Sequence, residues 1–353
     1  NQAAQLILQA IYDRPVDHRS YAYQPVILEA LPDAAAGTAV LQPVQVQIGD
    51  LVVNNQGDVV ELELGVFIRP AGCSNGDCAI AFDGTPAEMD QMTAEFTLRP
   101  GIAWSDGQPL TVEDSLYGFA LNADPATPAS RYKFERTLSY EAVDTSTIQW
   151  TGLPGFIDPD YQENFWQPVP QHLWGEVPAA DLAGSERAAL MPVGYGPFVL
   201  VDASGDTFTL ARNPNYFRAG EGFPRVDQLV FRVVGQDSEA NLDMLRTAEC
   251  DLLDTSASAA IPADEAVALA ESGELIASWA NHNGWTLLNF GVVPQSYDGD
   301  YSMWAGDRPD FFGDARVRQA IAYCLDREAI VAEASYGVAP VMDSFVQPDH
   351  ALF

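Results

Sequence analysis

Positive charge is what this sequence has least of. Seventeen Lys and Arg stand against 50 Asp and Glu, which leaves a net charge of -33 and a pI near 4.1. Lys133 is the only lysine. Binding to phosphate backbones draws on clustered Lys and Arg, so nucleic acid is excluded as a partner. The acidic residues are spread along the chain rather than gathered in a tail. That pattern reads as the surface of a soluble, exported or salt-adapted protein and not as a cation-binding device. Long apolar runs are missing too: no stretch of eighteen apolar residues exists, so no segment is expected to span a membrane. Leu6-Ile7-Leu8-Gln9-Ala10-Ile11 is short and lacks a basic flank, so it is not read as a signal peptide and a processed or trimmed start is expected.

Cysteine and histidine are scarce, at four each. His18, His172, His282 and His350 are too scattered to imply a site. Cys73 and Cys78 bracket Ser-Asn-Gly-Asp, and a pair with no other Cys or His nearby falls short of the four ligands that zinc takes. A local disulfide between Cys73 and Cys78 is expected if the protein sits in an oxidising compartment, with free thiols as the alternative. Cys250 and Cys324 read as small buried apolar residues. No Ser-His-Asp spacing, nucleophile elbow, H-E-x-x-H or phosphate loop occurs, so no catalytic residue, metal site or cofactor is expected. A hydrolase working through two of the many carboxylates stays open as the rival. It would need two carboxyl groups of separated pKa in one cleft.

What is present is organised around Phe96 to Phe119. Phe96 and Leu98 alternate with Thr97 and Arg99 as in a half-buried strand, and Pro100-Gly101 stops it. Ser105-Asp106-Gly107-Gln108-Pro109 is a second turn. Thr111 and Asp114 then make a capping box, a hydroxyl at the N-cap with a carboxylate three residues on, so a helix starts there. Leu116, Phe119 and Ala120 are expected on its buried face, with Trp104 at the corner. At 353 residues and about 150 per domain, two or three lobes are expected.

This order resembles the signature of the family 5 extracytoplasmic solute-binding proteins, the dipeptide, oligopeptide and nickel receptors of ABC importers. Further stretches carry the same resemblance. Gly194-Tyr195-Gly196-Pro197-Phe198 followed by Leu210-Ala211-Arg212-Asn213-Pro214-Asn215-Tyr216-Phe217 is one. It does not suit a dinucleotide, because a proline follows the second glycine and no helix opens there. Gln167 to Trp174 resembles the family's "Pro-hydrophobic-Pro-x-His" segment, and Asp314 to Ile330 its "Asp-x-Arg-Val-Arg-Gln-Ala" helix.

The resemblance implies an α/β, two-lobed periplasmic-binding-protein-like fold of type II, cluster C, with an extra β-rich subdomain. Lobe I would take residues 1–32 and 170–280, the β-rich lobe residues 33–169, and residues 281–353 a crossing segment and the opening of an incomplete lobe II. It also implies a non-enzymatic, monomeric, extracytoplasmic receptor, periplasmic or lipid-anchored. Such a receptor captures a small-molecule ligand between its lobes and passes it to the ABC transporter permease subunits. A peptide is favoured over an oligosaccharide or a metal chelate, since strand-like crossing segments pair with a peptide backbone whatever its side chains are. A sensor that has kept the fold and lost transport is a further reading.

Candidate ligand-binding residues come from the same resemblance. Asp13, Arg14 and Pro15 follow an aromatic at a helix exit, where the family's chain runs along the ligand, although a simple helix-to-turn exit reads equally well. Tyr117 closes the capped-helix motif. Asn283, Gly284 and Trp285 stand in the expected crossing.

Taken in order, a helix is expected over residues 4–12 and a hairpin from Ala39 to Arg69 turning at Asn54 to Asp58. An inserted loop should fill residues 70–93, a linker residues 124–128 and a strand pair Tyr140 to Trp150. Farther on, a strand should run over residues 229–233, a helix capped by Ser238 to Arg246, a strand over residues 248–253, a helix over residues 263–272 and a strand over residues 275–280. Asp298, Asp300 and Asp307 invite a calcium reading. They lack EF-hand spacing and its terminal Glu, so a solvated loop is expected. From Asp314 on, a helix should bury Val317, Ile321, Cys324 and Leu325.

Overall fold

Good helix formers open the chain, and Gln2–Ile11 forms α1. Ile7 and Ile11, one turn apart, bury the same face. Pro15 cannot continue a helix, and the chain runs on extended as β1 (Val16–Arg19), paired antiparallel with β2 (Ala22–Pro25). The computed structural model describes residues 2–19, 22–73, 76–182, 184–185, 192–279, 287–290, 312–342, 344 and 346. These fall into two units, residues 1–234 and 235–353. The fold is mixed α and β, and every described strand pair is antiparallel.

The expected hairpin from Ala39 to Arg69 is corrected. β3 (Ala39–Val46) does not pair with the strand that directly follows the Asn54 to Asp58 turn. That turn joins only the short β4 (Leu51–Val53) and β5 (Val59–Glu61). β6 (Phe67–Ile68) and β7 (Ile80–Ala81) make a second small hairpin, and β3 pairs instead with β8 (Ala87–Thr97), Ala39 opposite Ala94. Residues 87–93, expected in an inserted loop, are therefore the first half of a central strand. Met89, Met92, Ala94 and Phe96 of β8 are buried, and that amount of buried surface is what draws β3 across to it. The Cys73–Cys78 disulfide closes the loop between β6 and β7.

The capping box is present: Asp114 Oδ2 accepts the Thr111 amide at 2.9 Å and opens α2 (Val112–Ala123). Its buried side differs from expectation. Val112, Asp114, Ser115 and Gly118 are buried, Leu116 and Phe119 are half-buried against the core, and Ala120 is exposed. Polar partners rotate the helix: the Ser115 hydroxyl bonds the Trp166 carbonyl at 2.6 Å and lies 2.7 Å from the Tyr140 hydroxyl. After α3 (Tyr132–Glu135), β9 (Thr137–Ala142) and β10 (Thr147–Gly152) complete a four-stranded sheet of order β3-β8-β10-β9. Trp104, Trp150, Phe96 and Ile148 are fully enclosed in its core.

Two short helices, α4 (Gln171–Trp174) and α5 (Ala179–Leu182), precede a three-stranded sheet. In it β11 (Phe198–Ser204), β12 (Thr207–Arg212) and β13 (Gln228–Arg232) run in order. α1 packs on this sheet through Ile7, Ile11, Phe198 and Leu210.

The second unit is helical among the described residues. α6 (Ser238–Arg246) is capped by Asp237, one residue before the expected Ser238, its carboxylate accepting the Ala240 amide. The strand expected at residues 248–253 is a helix stop. Ala248 stands at φ 56° and the amides of Glu249 and Cys250 return to the Met244 carbonyl. After α7 (Thr255–Ser258), α8 spans Ala263–Ser272 as expected. The strand expected at residues 275–280 is absent from residues 275–279, where Ile276 is fully exposed and no described strand pairs with the backbone.

The helix expected from Asp314 on is two helices, α9 (Ala315–Cys324) and α10 (Arg327–Ala334), because Asp326 caps a new start. The expected buried stripe is open. Val317 and Ile321 are half-buried while Cys324 and Leu325 are exposed, since no described element covers them. Cys250 is half-buried, so neither free cysteine is the core residue expected.

Candidate functional site

The exit of α1 is where distant stretches meet. Gly194 and Gly196 lie against the last turn of the helix: a Cβ would come within 2.2 Å and 2.6 Å of the Ile11 carbonyl, and the Gly196 amide donates to that carbonyl at 2.8 Å. Only glycine permits so close an approach. Tyr195 between them is fully buried and meets Tyr12 and Trp104 edge-on, with ring centres 6.1 Å and 5.2 Å away. Asn213 donates to the Gly196 carbonyl at 2.8 Å, and Asn215 to the Ser105 carbonyl at 3.0 Å. The Tyr216 hydroxyl then donates to Asp13 Oδ2 at 2.9 Å.

A second brace runs through α2. Asp114, besides capping the helix, accepts the Trp104 indole at 3.2 Å and the Gln171 amide at 3.0 Å. Gly118 lets the Gln167 carbonyl approach so near that a Cβ would meet it at 2.3 Å. Gln167 in turn donates its side-chain amide to the Asp13 carbonyl at 3.3 Å and to the Tyr195 hydroxyl. Asp13 is thus held at both its carboxylate and its carbonyl.

Two concavities flank this exit. One, of about 720 Å³, has a mostly apolar wall that includes Leu8, Tyr12, Leu121, Val169, Trp174 and Leu182. The other, of about 530 Å³, is polar and holds Asp13, Asp17, Arg99, Arg218 and Glu221. Gln9, Tyr12 and Arg14 line both. Burial pushes the Tyr12 hydroxyl up to about 12. Burial first, then the Asp13 carboxylate, raises both Tyr195 and Tyr216. These hydroxyls therefore stay neutral donors at physiological pH.

Asp13 and Arg14 lie at the junction. Pro15, next in the chain, accepts the Val26 amide through its carbonyl at 3.0 Å. Tyr117 faces α4, its hydroxyl donating to the Trp174 carbonyl at 2.7 Å, and burial raises its pKa. It braces the wall to which Trp174 belongs. Asn283, Gly284 and Trp285 lie outside the described residues, as do Asp298, Asp300 and Asp307. Sequence reasoning passed over Gln167, Tyr195 and Tyr216 as site residues. Tyr195 and Tyr216 entered it only as letters of a motif, and the glycines around Tyr195 carried the signal of a close approach. Among the described residues no group of three or more His, Cys, Asp or Glu is placed to hold a metal ion. In the polar concavity Asp13 takes the Tyr216 hydroxyl and Glu221 the Arg218 guanidinium at 3.0 Å, an arrangement suited to holding a polar ligand.

Residues 86–353 match the family model described as bacterial extracellular solute-binding proteins, family 5 Middle. The oligopeptide-binding protein AppA of Bacillus subtilis (strain 168) is 26% identical over 251 residues, 68% of this chain and 40% of AppA. A putative ABC transporter peptide-binding protein of Brucella ovis is 26% identical over 271 residues, 75% of this chain and 45% of that protein. The chain therefore spans less than half the length of these relatives. A solved structure of Bacillus subtilis AppA in complex with a nonapeptide superposes with a TM-score of 0.54 at 18% identity, covering 98% of this chain and 54% of that one. That likeness shows the fold, the mixed α and β architecture of the two-lobed periplasmic binding proteins.

Proposed function

The chain belongs to the bacterial extracellular solute-binding proteins of family 5, and from that premise we propose that it is the ligand-capturing component of an ABC importer, with a peptide as its ligand. The observation that carries the reading is the family match over residues 86–353. The geometry supports it, because three of the stretches that resemble the family, Phe96 to Phe119, Gln167 to Trp174 and Gly194 to Phe217, converge on the α1 exit and hold Asp13 to Pro15 beside two concavities. The named functions of AppA and the Brucella ovis protein favour a peptide.

In this reading the protein acts outside the cytoplasm as a monomer, periplasmic or lipid-anchored, hands its ligand to the permease subunits and performs no chemistry on it. Lobe I comprises residues 1–32 and 170–280 and the β-rich lobe residues 33–169; Asp13, Arg14 and Pro15 contact the ligand, and Asn283, Gly284 and Trp285, which lie outside the described residues, are further candidates for it. Tyr117 acts through α4.

The test is to purify the native protein, identify by mass spectrometry whatever co-purifies, and titrate a peptide library by calorimetry. Micromolar binding corresponds to about 8 kcal/mol and is readily measured. Recovery of a sugar or a metal chelate, with no heat from any peptide, would overturn the peptide assignment. Turnover of the captured ligand would overturn the non-enzymatic role.

A further inference from the structure

We propose that Arg14 recognises the C-terminal carboxylate of the ligand, and that the apolar concavity beside it takes the side chain of the same terminal residue; the proposal rests on the assignment of a peptide ligand. Three observations meet at this residue. The first is its availability. Among the described residues Arg14 is the one basic side chain with no hydrogen bond, ion pair or ring contact. Arg69 and Arg99 donate to the carbonyls of Gly155 and Leu28. Arg131, Arg218 and Arg246 pair with glutamates, Arg212 with Asp227 and Lys133 with Asp158. In a chain with 50 acidic against 17 basic residues, a free cation is against the odds of composition. Carboxylates outnumber basic groups about three to one, and each of the immediate acidic neighbours of Arg14 is otherwise engaged. Asp13 takes the Tyr216 hydroxyl, and Asp17 accepts the His18 amide at 2.9 Å.

The second observation is the wall Arg14 stands in. Among the described residues lining the concavity of about 720 Å³, Arg14 is the only one that carries a formal charge. The rest are aliphatic, aromatic, proline, hydroxyl or amide side chains. A ligand that satisfies this surface carries one negative charge close to an apolar body. In a peptide, only the C-terminal residue joins a carboxylate and an apolar side chain on one α-carbon. An internal Asp or Glu offers the charge but leaves the apolar wall unfilled.

The third is rigidity. The backbone on either side of Arg14 is fixed, by the Tyr216 and Gln167 bonds to Asp13 and by the Val26 amide on the Pro15 carbonyl. The guanidinium therefore swings from an anchored root, and its planar fork suits a carboxylate in a two-point bond.

The experiment is calorimetric titration of the native protein with three tripeptides: one ending in a leucine free acid, its C-terminal amide, and an amidated peptide with an internal glutamate. Each is repeated on Arg14→Gln and Arg14→Lys, with circular dichroism to establish that the variants fold. The free acid is expected to bind about tenfold tighter than the amide, the scale of one charge-assisted hydrogen bond. The ratio should fall to about one in Arg14→Gln and recover in part in Arg14→Lys. An acid-to-amide ratio near one in the unaltered protein, or the same ratio retained by Arg14→Gln, would overturn the role of Arg14 while leaving peptide capture intact. A preference for the internal glutamate over the free acid would overturn the assignment to the C-terminus. Silence from all three, and from a wider peptide library, would overturn peptide capture and this inference with it.

Discussion

Tyr216 donates its hydroxyl to the carboxylate of Asp13 at 2.9 Å across 203 residues of sequence. The bond closes a ring of contacts that starts at Ile11, passes through Gly196 and Asn213, and returns at Asp13. Motif letters that look like punctuation in the sequence are therefore the parts of one brace. Its product is a fixed helix exit with Arg14 left free at its edge.

The glycine next to that ring sets the first prediction. Gly194→Ala would place a Cβ 2.2 Å from the Ile11 carbonyl, a backbone atom that cannot rotate aside. Overpacking of this kind costs about 1–3 kcal/mol. Chemical denaturation should show a loss on that scale, together with weakened ligand binding as the α1 exit shifts. Gly220→Ala, where a Cβ meets nothing within 4 Å, is the control and should be near neutral. Equal stability of the two variants would mean that the contact at Ile11 is looser than described.

Much of the first unit was legible because its signals are local. The Thr111–Asp114 capping box, the Pro15 break and the strand pair over Tyr140 to Trp150 each depend on residues within a few positions of one another. The β3–β8 pairing was not legible. Its partners lie some fifty residues apart, and a nearer turn at Asn54 to Asp58 offered a plausible hairpin in its place. The site was half legible. Asp13 and Arg14 were named from the family pattern, whereas Gln167 reaches Asp13 only through the fold, 154 positions away. The α9 stripe was read as buried from periodicity alone, and periodicity says which face is apolar without saying what covers it.

Ala248 gives a prediction of the opposite sign. It occupies the position just past the C-cap of α6 at φ 56°, where helices commonly place glycine. The left-handed conformation costs an L-residue about 1–2 kcal/mol, while a new glycine gives the unfolded chain about 0.4–1 kcal/mol of extra freedom. Ala248→Gly should therefore stabilise the second unit by roughly 0.5 kcal/mol. A rise in the denaturation midpoint with an unchanged slope is the expected readout, and a fall would contradict the backbone geometry at this turn.

Asp106 should govern part of the acid limb. Burial alone would raise its pKa, but the His172 hydrogen bond at 2.8 Å and the Gln108 amide outweigh it and leave the carboxyl lowered. A carboxyl lowered by folding adds stability above its ordinary value of about 3.9 and loses it as pH falls through the folded value. Asp106→Asn should accordingly be less stable than the unaltered protein at pH 7, with the gap closing below about pH 3.9. A gap of constant size from pH 7 down to about pH 2.5 would show that shape rather than charge holds the turn to α4.

The alkaline limb belongs to the tyrosines. Burial pushes Tyr12 up to about 12 and raises Tyr140 and Tyr195, and at Tyr216 the Asp13 carboxylate adds to burial. Because folding raises these pKa values, their contribution to stability is complete below the unfolded value near 10 and is lost as pH rises through the folded values. The protein should thus lose stability steeply above about pH 10. Absorbance at the phenolate band, followed together with far-ultraviolet circular dichroism, should show one group of tyrosines ionising near pH 10 and a second group ionising only as the fold is lost. Tyr216→Phe removes one member of that second group along with its bond to Asp13. It should lower stability at pH 7 by about 1.5–3 kcal/mol, the range for a hydrogen bond to a charged acceptor, and should make the decline above about pH 10 shallower. If all 13 tyrosines titrate together near pH 10 with the circular dichroism intact, the enclosure of Tyr195 and Tyr216 behind the α1 exit is wrong, and with it the rigidity attributed to Asp13.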